Sequence, residues 1–439
     1  MTGPFMEPPV ATGAVSPVDL PAPRTIEEAG LSLDLLTQLV LKTLFFSGEL
    51  TGAELGRRLG VAFGVIEPAL EFLRQQRHTE VVAGTLLAGS SYRYRITTDG
   101  RSAAAHFLQQ NQYVGVAPVP LPQYQRYMRA HRAATRHVVT RESTRARLSH
   151  LVISDAVLDE IGPAVNSGHS AFIYGPPGNG KTAMAHAIGG LFSGELAVPH
   201  AIEVEGSIIR VFDVVNHRAK PLVDDDGLAP PVGIDRRWAL CDRPVVVTGG
   251  ELTLDALELG FDARLGFYRA PHQLVANGGV LVIDDFGRQR TAPRDLLNRW
   301  MVPLENGIDY LTLRSGVKFE LPFHAFVVFA TNIKPSELVD EAFLRRVRHK
   351  VFAENPSHED FHRIFERCCQ QRGIPFDGHI VEQLLERTYR LRGIVPRACH
   401  PRDLINQALL LASYGGEPKV LTLELLERAS TGYFVDDRG

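Results

Sequence analysis

The stretch "AFIYGPPGNGKT" sets four apolar residues, Ala171 to Tyr174, directly ahead of the pattern G-x-x-x-x-G-K-T over Gly175 to Thr182. A strand, a glycine-rich loop and a helix in that order make a cradle for phosphate oxygens. Gly178 and Gly180 let backbone amides curl around an anion with no Cβ in the way. Gly175, Pro176, Pro177 and Asn179 complete the loop. The helix start adds its partial positive charge. In such a site Lys181 reaches the outer phosphates of a nucleotide and the Thr182 hydroxyl ligates Mg²⁺.

Two further apolar runs end in polar residues. "GGVLVIDDFG", Gly278 to Gly287, delivers Asp284 and Asp285, the first placed to hold Mg²⁺ through water and the second to orient or deprotonate a water. "AFVVFATN" ends in Asn332, whose amide can help to orient that water. The letters D-F-G at Asp285–Gly287 occur without the Gly-rich loop and H-R-D of protein kinases, so a kinase is set aside.

These groups must be positioned by a parallel sheet. Strands apolar at every position are buried on both faces, and polar residues at their C-terminal ends are where doubly wound sheets bind ligands. The expected fold class is α/β, a P-loop core of parallel sheet flanked by helices. From Lys181 to Asp284 is 103 residues, whereas a helix, strand and helix need only about 50 or 60. The surplus includes "IEVEGSIIRVFDVV" and the segment from Trp238 to Asn277. Trp238 and "GFYRAPHQ" are read as packing aromatics, with a substrate-facing loop as the alternative. "DYLTLRSGVKFEL" alternates about Ser315–Gly316 as a β-hairpin does.

At these residues the chain resembles AAA+ ATPases. "GPPGNGKT" is similar to their Walker A motif, "LVIDDF" to Walker B and Asn332 to the first sensor. "DEAFLRRVRHKV" resembles the arginine-finger segment, with Arg345 or Arg346 reaching a neighbouring subunit, and Arg402 in "CHPRDLINQ" sits at the second-sensor position of a C-terminal helical lid. The hairpin resembles the pre-sensor insertion of MoxR, chelatase and replicative-helicase members, while two aspartates in Walker B resemble helicase loaders. The resemblance implies ATP and Mg²⁺, hydrolysis to ADP and phosphate, a homo-oligomeric ring (commonly a hexamer), and chaperone-like remodelling of a protein client. The alternative is a DNA-associated regulator or helicase-loader-like ATP switch.

Upstream, "ELTGAELGRRLGVAFGVIEPALEFLRQQR" predicts two helices about Gly60, opened by a Thr51–Glu54 capping box. Alternating strands "TEVVAG" and "SYRYRIT" follow, and the order resembles a winged-helix domain. The residues leading its second helix, "AFGVIEP", contain none of the usual base-edge readers. Eight Lys/Arg against seven Asp/Glu over residues 31–110 leave little charge for phosphates. A protein-binding role is preferred, with DNA left open. Arg126, Arg129, Arg132 and Arg136 would share a helix face. The expected organisation is a disordered leader over 1–28, a winged-helix-like domain over 29–112, a Pro-spaced then Arg-rich linker over 113–150, the AAA+ nucleotide-binding domain over 151–352 and a helical lid over 353–439.

A net charge of −3 argues against a wholesale nucleic-acid coat. Four cysteines without metal-ligand spacing fit a reducing compartment. With neither a secretory signal nor a long uncharged apolar run, no membrane association is expected and the protein is read as cytoplasmic.

Overall fold

The computed structural model describes residues 20–83, 89–134, 138–221, 233–338 and 341–434. The chain begins with α1 (Ile26–Ala29), α2 (Leu33–Ser47), β1 (Glu49–Thr51), α3 (Gly52–Leu59), α4 (Phe63–Gln75), β2 (Thr79–Ala83), β3 (Arg93–Ile96) and α5 (Thr98–Gln110). β3 lies between β1 and β2 in an antiparallel sheet. The capping box forms: Glu54 N–H donates to Thr51 Oγ1 at 3.1 Å and Thr51 N–H to Glu54 Oε2 at 2.7 Å. Gly60 ends α3 at φ +69°, and a Cβ there would meet the Arg236 carbonyl oxygen at 2.9 Å. Residues 1–19 of the expected leader lie outside the described residues, but its last part is ordered. Thr25 caps α1, Ala29 is fully buried, and Pro21 bridges to Ile234.

α2 contributes a buried lysine. The Lys42 ammonium donates to the Asn111 carbonyl at 3.1 Å with no carboxylate partner among the described residues, and burial pulls its pKa down to about 8. The unfolded lysine titrates near 10.5. Between those values the unfolded chain holds more protons, so stability rises with pH there, and the whole penalty stands below pH 8. Lys42→Met should therefore stabilise the protein at pH 7 by about 1–2 kcal/mol, part of the relieved desolvation being offset by the orphaned Asn111 carbonyl. Denaturant melts from pH 7 to 10 should show that gain shrinking as pH rises.

The next elements are β4 (Val119–Pro120), α6 (Leu121–Ala134), α7 (Arg141–Arg147) and α8 (Asp155–Ser167). Here the expected linker is corrected: residues 113–134 are not an extended connection. β4 pairs with a strand far ahead in the chain, and Tyr124, Tyr127 and Met128 of α6 are buried. Tyr124 OH accepts from Asn277 Nδ2 and Tyr127 OH from Ala197 N–H, each at 2.7 Å. Arg126, Arg129 and Arg132 do face outward, and Arg129 pairs with Glu320 at 3.2 Å. Arg136 lies outside the described residues.

β5 (Ala171–Tyr174) and α9 (Lys181–Gly189) open the core. An inserted region follows, built from β6 (Glu195–Pro199), β7 (Ala201–Val204), β8 (Ser207–Arg210) and β9 (Trp238–Asp242). Then come β10 (Val245–Thr248), β11 (Gly260–Asp262), β12 (Phe267–Arg269) and α10 (His272–Val275). β11, β12, β8, β7 and β4 form a second five-stranded sheet, and β6 pairs with β9. Trp238 packs on Tyr124 and Tyr127 with ring centroids 6.3 and 4.8 Å away, and Phe267 and Tyr268 are buried. These aromatics pack in the core and do not form a substrate-facing loop.

The core continues through β13 (Val280–Ile283), α11 (Pro293–Asn306), β14 (Ile308–Thr312), β15 (Lys318–Pro322) and β16 (Phe326–Thr331). It closes with α12 (Pro335–Leu338), α13 (Glu341–Leu344) and β17 (His349–Phe352). β14 and β15 make the expected antiparallel hairpin. The central sheet runs β10–β13–β16–β5–β17, parallel throughout. Its strands are apolar because both faces are covered: Val280 and Val282 enter the cluster containing Ile161 and Ile188, whereas Leu281 and Ile283 enter the one containing Trp300. The fold class is α/β, a parallel sheet flanked by helices. Last come α14 (His358–Gln370), α15 (Gly378–Leu384), α16 (His400–Gly415) and α17 (Leu423–Tyr433), a helical bundle around Phe361, Phe365, Leu404 and Leu426. Among the described residues no helix is long and apolar enough to cross a membrane.

Candidate functional site: a phosphate loop beneath the helical bundle

β5 leads into the loop Gly175–Gly180, and α9 starts at Lys181 with Gly180 as its N-cap at φ +73°. Gly175 must be glycine, since a Cβ would sit 2.4 Å from the Ala353 carbonyl oxygen. The loop is also tied to the bundle. Cys399 N–H donates to Gly178 O at 2.8 Å, and Ala398 N–H to Asn179 Oδ1 at 3.3 Å. Asn179 Nδ2 in turn donates to Asn355 Oδ1 at 2.9 Å. A Cβ on Gly178 would lie 2.6 Å from Cys399 Sγ.

Lys181 is folded over the loop, donating to Gly175 O at 3.0 Å and Pro176 O at 2.7 Å. Burial lowers its pKa, against the opposing pull of Asp285 and Asp284. Thr182 Oγ1 donates to Asp284 Oδ2 at 2.7 Å. Asn332, one residue past β16, donates from Nδ2 to Asp285 Oδ1 at 3.1 Å. Its own Oδ1 is buried and has no hydrogen-bond partner among the described residues. The sheet thus brings Lys181, Thr182, Asp284, Asp285 and Asn332 together along the ends of three adjacent strands, all lining one cavity of about 1030 Å³.

The turn after β13 carries its own supports. Asp285 takes φ +46°, and its N–H donates to Asp284 Oδ1 at 2.9 Å. Gln289 is buried beneath it, its amide nitrogen donating to the carbonyls of Gly249, Asp284 and Asp285 while its Oε1 accepts from Gly287 N–H. Sequence reasoning passed over Gln289. The available signal was a lone amide two residues beyond the glycine of the turn.

Arg402 lines the same cavity, but its Nε is engaged by Asp403 Oδ1 at 2.8 Å, and Asp403 also accepts from Tyr433 OH. Arg367 of α14 was missed. It borders the cavity with a buried Nη1 that has no partner among the described residues, so it can take an anionic acceptor. Val152, Ile153 and Ile364 give the far side an apolar wall suited to an aromatic base. Arg345 and Arg346 are not brought to this cavity. Arg345 is exposed and pairs with Glu341 at 2.8 Å, and Arg346 donates to Glu305 at 3.0 Å.

Residues 357–431 match a family model described as a domain of unknown function (DUF8689). No curated protein sequence matches the chain. Among solved structures, the RuvB Holliday junction branch migration motor of Thermotoga maritima is similar at 14% identity, covering 65% of this chain and 72% of that one with a TM-score of 0.37. NtrX from Brucella abortus in complex with ATP is 14% identical, with 65% of this chain and 57% of that one covered and a TM-score of 0.39. Likeness this partial leaves the pocket's own residues to carry the functional argument.

Proposed function

We propose that the protein is an AAA+ ATPase that hydrolyses ATP to ADP and phosphate and uses the cycle to remodel a protein partner held by its N-terminal module. The observation that carries this is the convergence of Lys181, Thr182, Asp284, Asp285 and Asn332 on one cavity. The phosphates of ATP would lie against the Gly175–Gly180 amides, Lys181 and the end of α9. The hard oxygen donors Thr182 Oγ1 and Asp284 Oδ2, already 2.7 Å apart, fit Mg²⁺. When bound, Mg²⁺ neutralises charge on the phosphate oxygens. Asp285 accepts a proton from, or orients, a water that the unpartnered Asn332 Oδ1 also addresses. Arg367 and Arg402 couple the helical bundle, acting as a lid, to the nucleotide.

Arg345 and Arg346 lie away from the cavity of their own chain, which suits a homo-oligomeric ring, a hexamer by resemblance, in which they act on a neighbour. The N-terminal module reads as a winged helix that recruits protein. A DNA role through α4 is disfavoured because the exposed residues that lead it, Ala62, Gly64, Glu67 and Pro68, offer no base-edge donor and a single negative charge.

Phosphate release and nucleotide binding by the purified chain test this reading, with Lys181→Ala as the variant. Losing a buried charged donor to phosphate costs about 2–5 kcal/mol, so ATP affinity should fall by roughly 30-fold or more. Unchanged affinity in that variant would remove the phosphate loop from the argument. DNA-stimulated turnover would favour the regulator or loader reading instead.

A further inference from the structure

On the surface of the helical bundle, away from the phosphate loop, His358, His362 and Glu382 turn their ligand atoms toward one another. His358 and His362 stand at i and i+4 on α14, so they share a face of the helix. Their rings lie 5.0 Å apart. Glu382 comes from α15, and its Oε2 is 3.1 Å from His358 Nε2 and 3.3 Å from His362 Nε2. All three ligand atoms fall within 4.8 Å of one another.

The geometry points to a divalent transition-metal site, with Zn²⁺ the ion that best suits two imidazole nitrogens and one carboxylate oxygen. Zn–N and Zn–O bonds of about 2.0–2.1 Å, meeting at tetrahedral angles, set neighbouring ligand atoms about 3.3 Å apart. The two N···O separations already have about that length, and the two imidazole nitrogens lie within 4.8 Å of each other. A water would complete the fourth position. Both ligand-bearing helix starts are fixed by side-chain caps: Ser357 Oγ accepts from Asp360 N–H, and Asp377 Oδ1 from His379 N–H. Two helices held in place before binding lower the ordering cost of a site that bridges them.

The same three side chains can instead form a purely hydrogen-bonded group, each neutral imidazole donating to the carboxylate. That arrangement needs no ion, and binding measurements separate the two. The full chain, stripped with chelator and dialysed against Co²⁺ as a spectroscopic substitute for Zn²⁺, should take up one ion with the intense visible absorption of tetrahedral Co²⁺, and added Zn²⁺ should displace it. Even partners one shell out from a metal are worth about 10–100-fold in affinity, so His362→Ala and Glu382→Gln should each weaken uptake by more than ~100-fold. His379→Ala, an exposed neighbour outside the cluster, should leave uptake unchanged. Zn²⁺ should also raise the melting temperature of the unaltered chain and not that of the two variants. Circular dichroism of each variant confirms that it is folded before titration. Failure of the unaltered chain to bind Co²⁺ or Zn²⁺, or equal uptake by His362→Ala and Glu382→Gln, overturns the site. Neither result depends on nucleotide turnover.

Discussion

Replacing Arg345 and Arg346 together with alanine is expected to lower ATP turnover by about 10³–10⁵-fold while leaving ATP binding intact. Charge on a γ-phosphate in transfer spreads over its oxygens, and an arginine delivered at that moment stabilises it more than the bound substrate. Neither arginine borders the cavity of its own chain, so binding by an isolated chain should not notice their loss. Of the two, Arg345 should carry more of the effect. Its partner Glu341 is an exposed i,i+4 carboxylate, an ion pair worth only a few tenths of a kcal/mol, whereas Arg346 is more enclosed and held on Glu305 of α11. Mixing tests the subunit that supplies the group. A Lys181→Ala chain has intact arginines but a damaged phosphate loop, and the double variant has the reverse. Combined, the two inactive proteins should regain part of the turnover if the arginine crosses between subunits. Turnover that survives the double replacement would remove both residues from the catalytic reading.

The features legible in the sequence are those that local chemistry dictates. Gly175 to Thr182, Asp284 and Asn332 announce themselves because each follows an apolar run whose strand must be buried on both faces, and the sheet sets those strands side by side. The hairpin of β14 and β15 was legible for the same reason, through strict alternation about a turn at Gly316. Features set by distant packing were not. α6 was read through its arginines, although Tyr124 and Tyr127 fix its position by filling a core around Trp238, some 110 residues away. β4 pairs with β7 across 83 residues, Val119 with Ile202 and Pro120 with Glu203, which no local pattern encodes. Arg367 lies within an ordinary amphipathic helix, and only the docking of the bundle on the phosphate loop turns its guanidinium toward the cavity. Gln289 is polar and sits in a loop, so its burial follows from the turn that it supports.

Asp285→Asn is expected to reduce turnover by about 10²–10⁴-fold, the usual worth of a positioned acid or base, with thermal stability preserved. Backbone geometry makes this the cleanest replacement. At φ +46° the residue lies in the left-handed region, where aspartate and asparagine are favoured several-fold over other non-glycine residues. Asparagine can keep that turn and its Gln289 support while removing the carboxylate. The same observation bears on why an aspartate stands where a glutamate would reach further. Glutamate at this φ costs about 1 kcal/mol or more, and the added methylene would displace the carboxylate from Asn332 Nδ2, now 3.1 Å from Asp285 Oδ1. Asp285→Glu should therefore turn over more slowly than the natural chain, by about tenfold for each 1.4 kcal/mol lost, yet faster than Asp285→Asn. Steady-state phosphate release from the three proteins at saturating ATP decides the order. A glutamate variant faster than the natural chain would mean that side-chain reach, and not the left-handed turn, limits hydrolysis. With the expected order, the two adjacent aspartates form a working pair whose second member is selected jointly by the turn that presents it and by the water that it addresses.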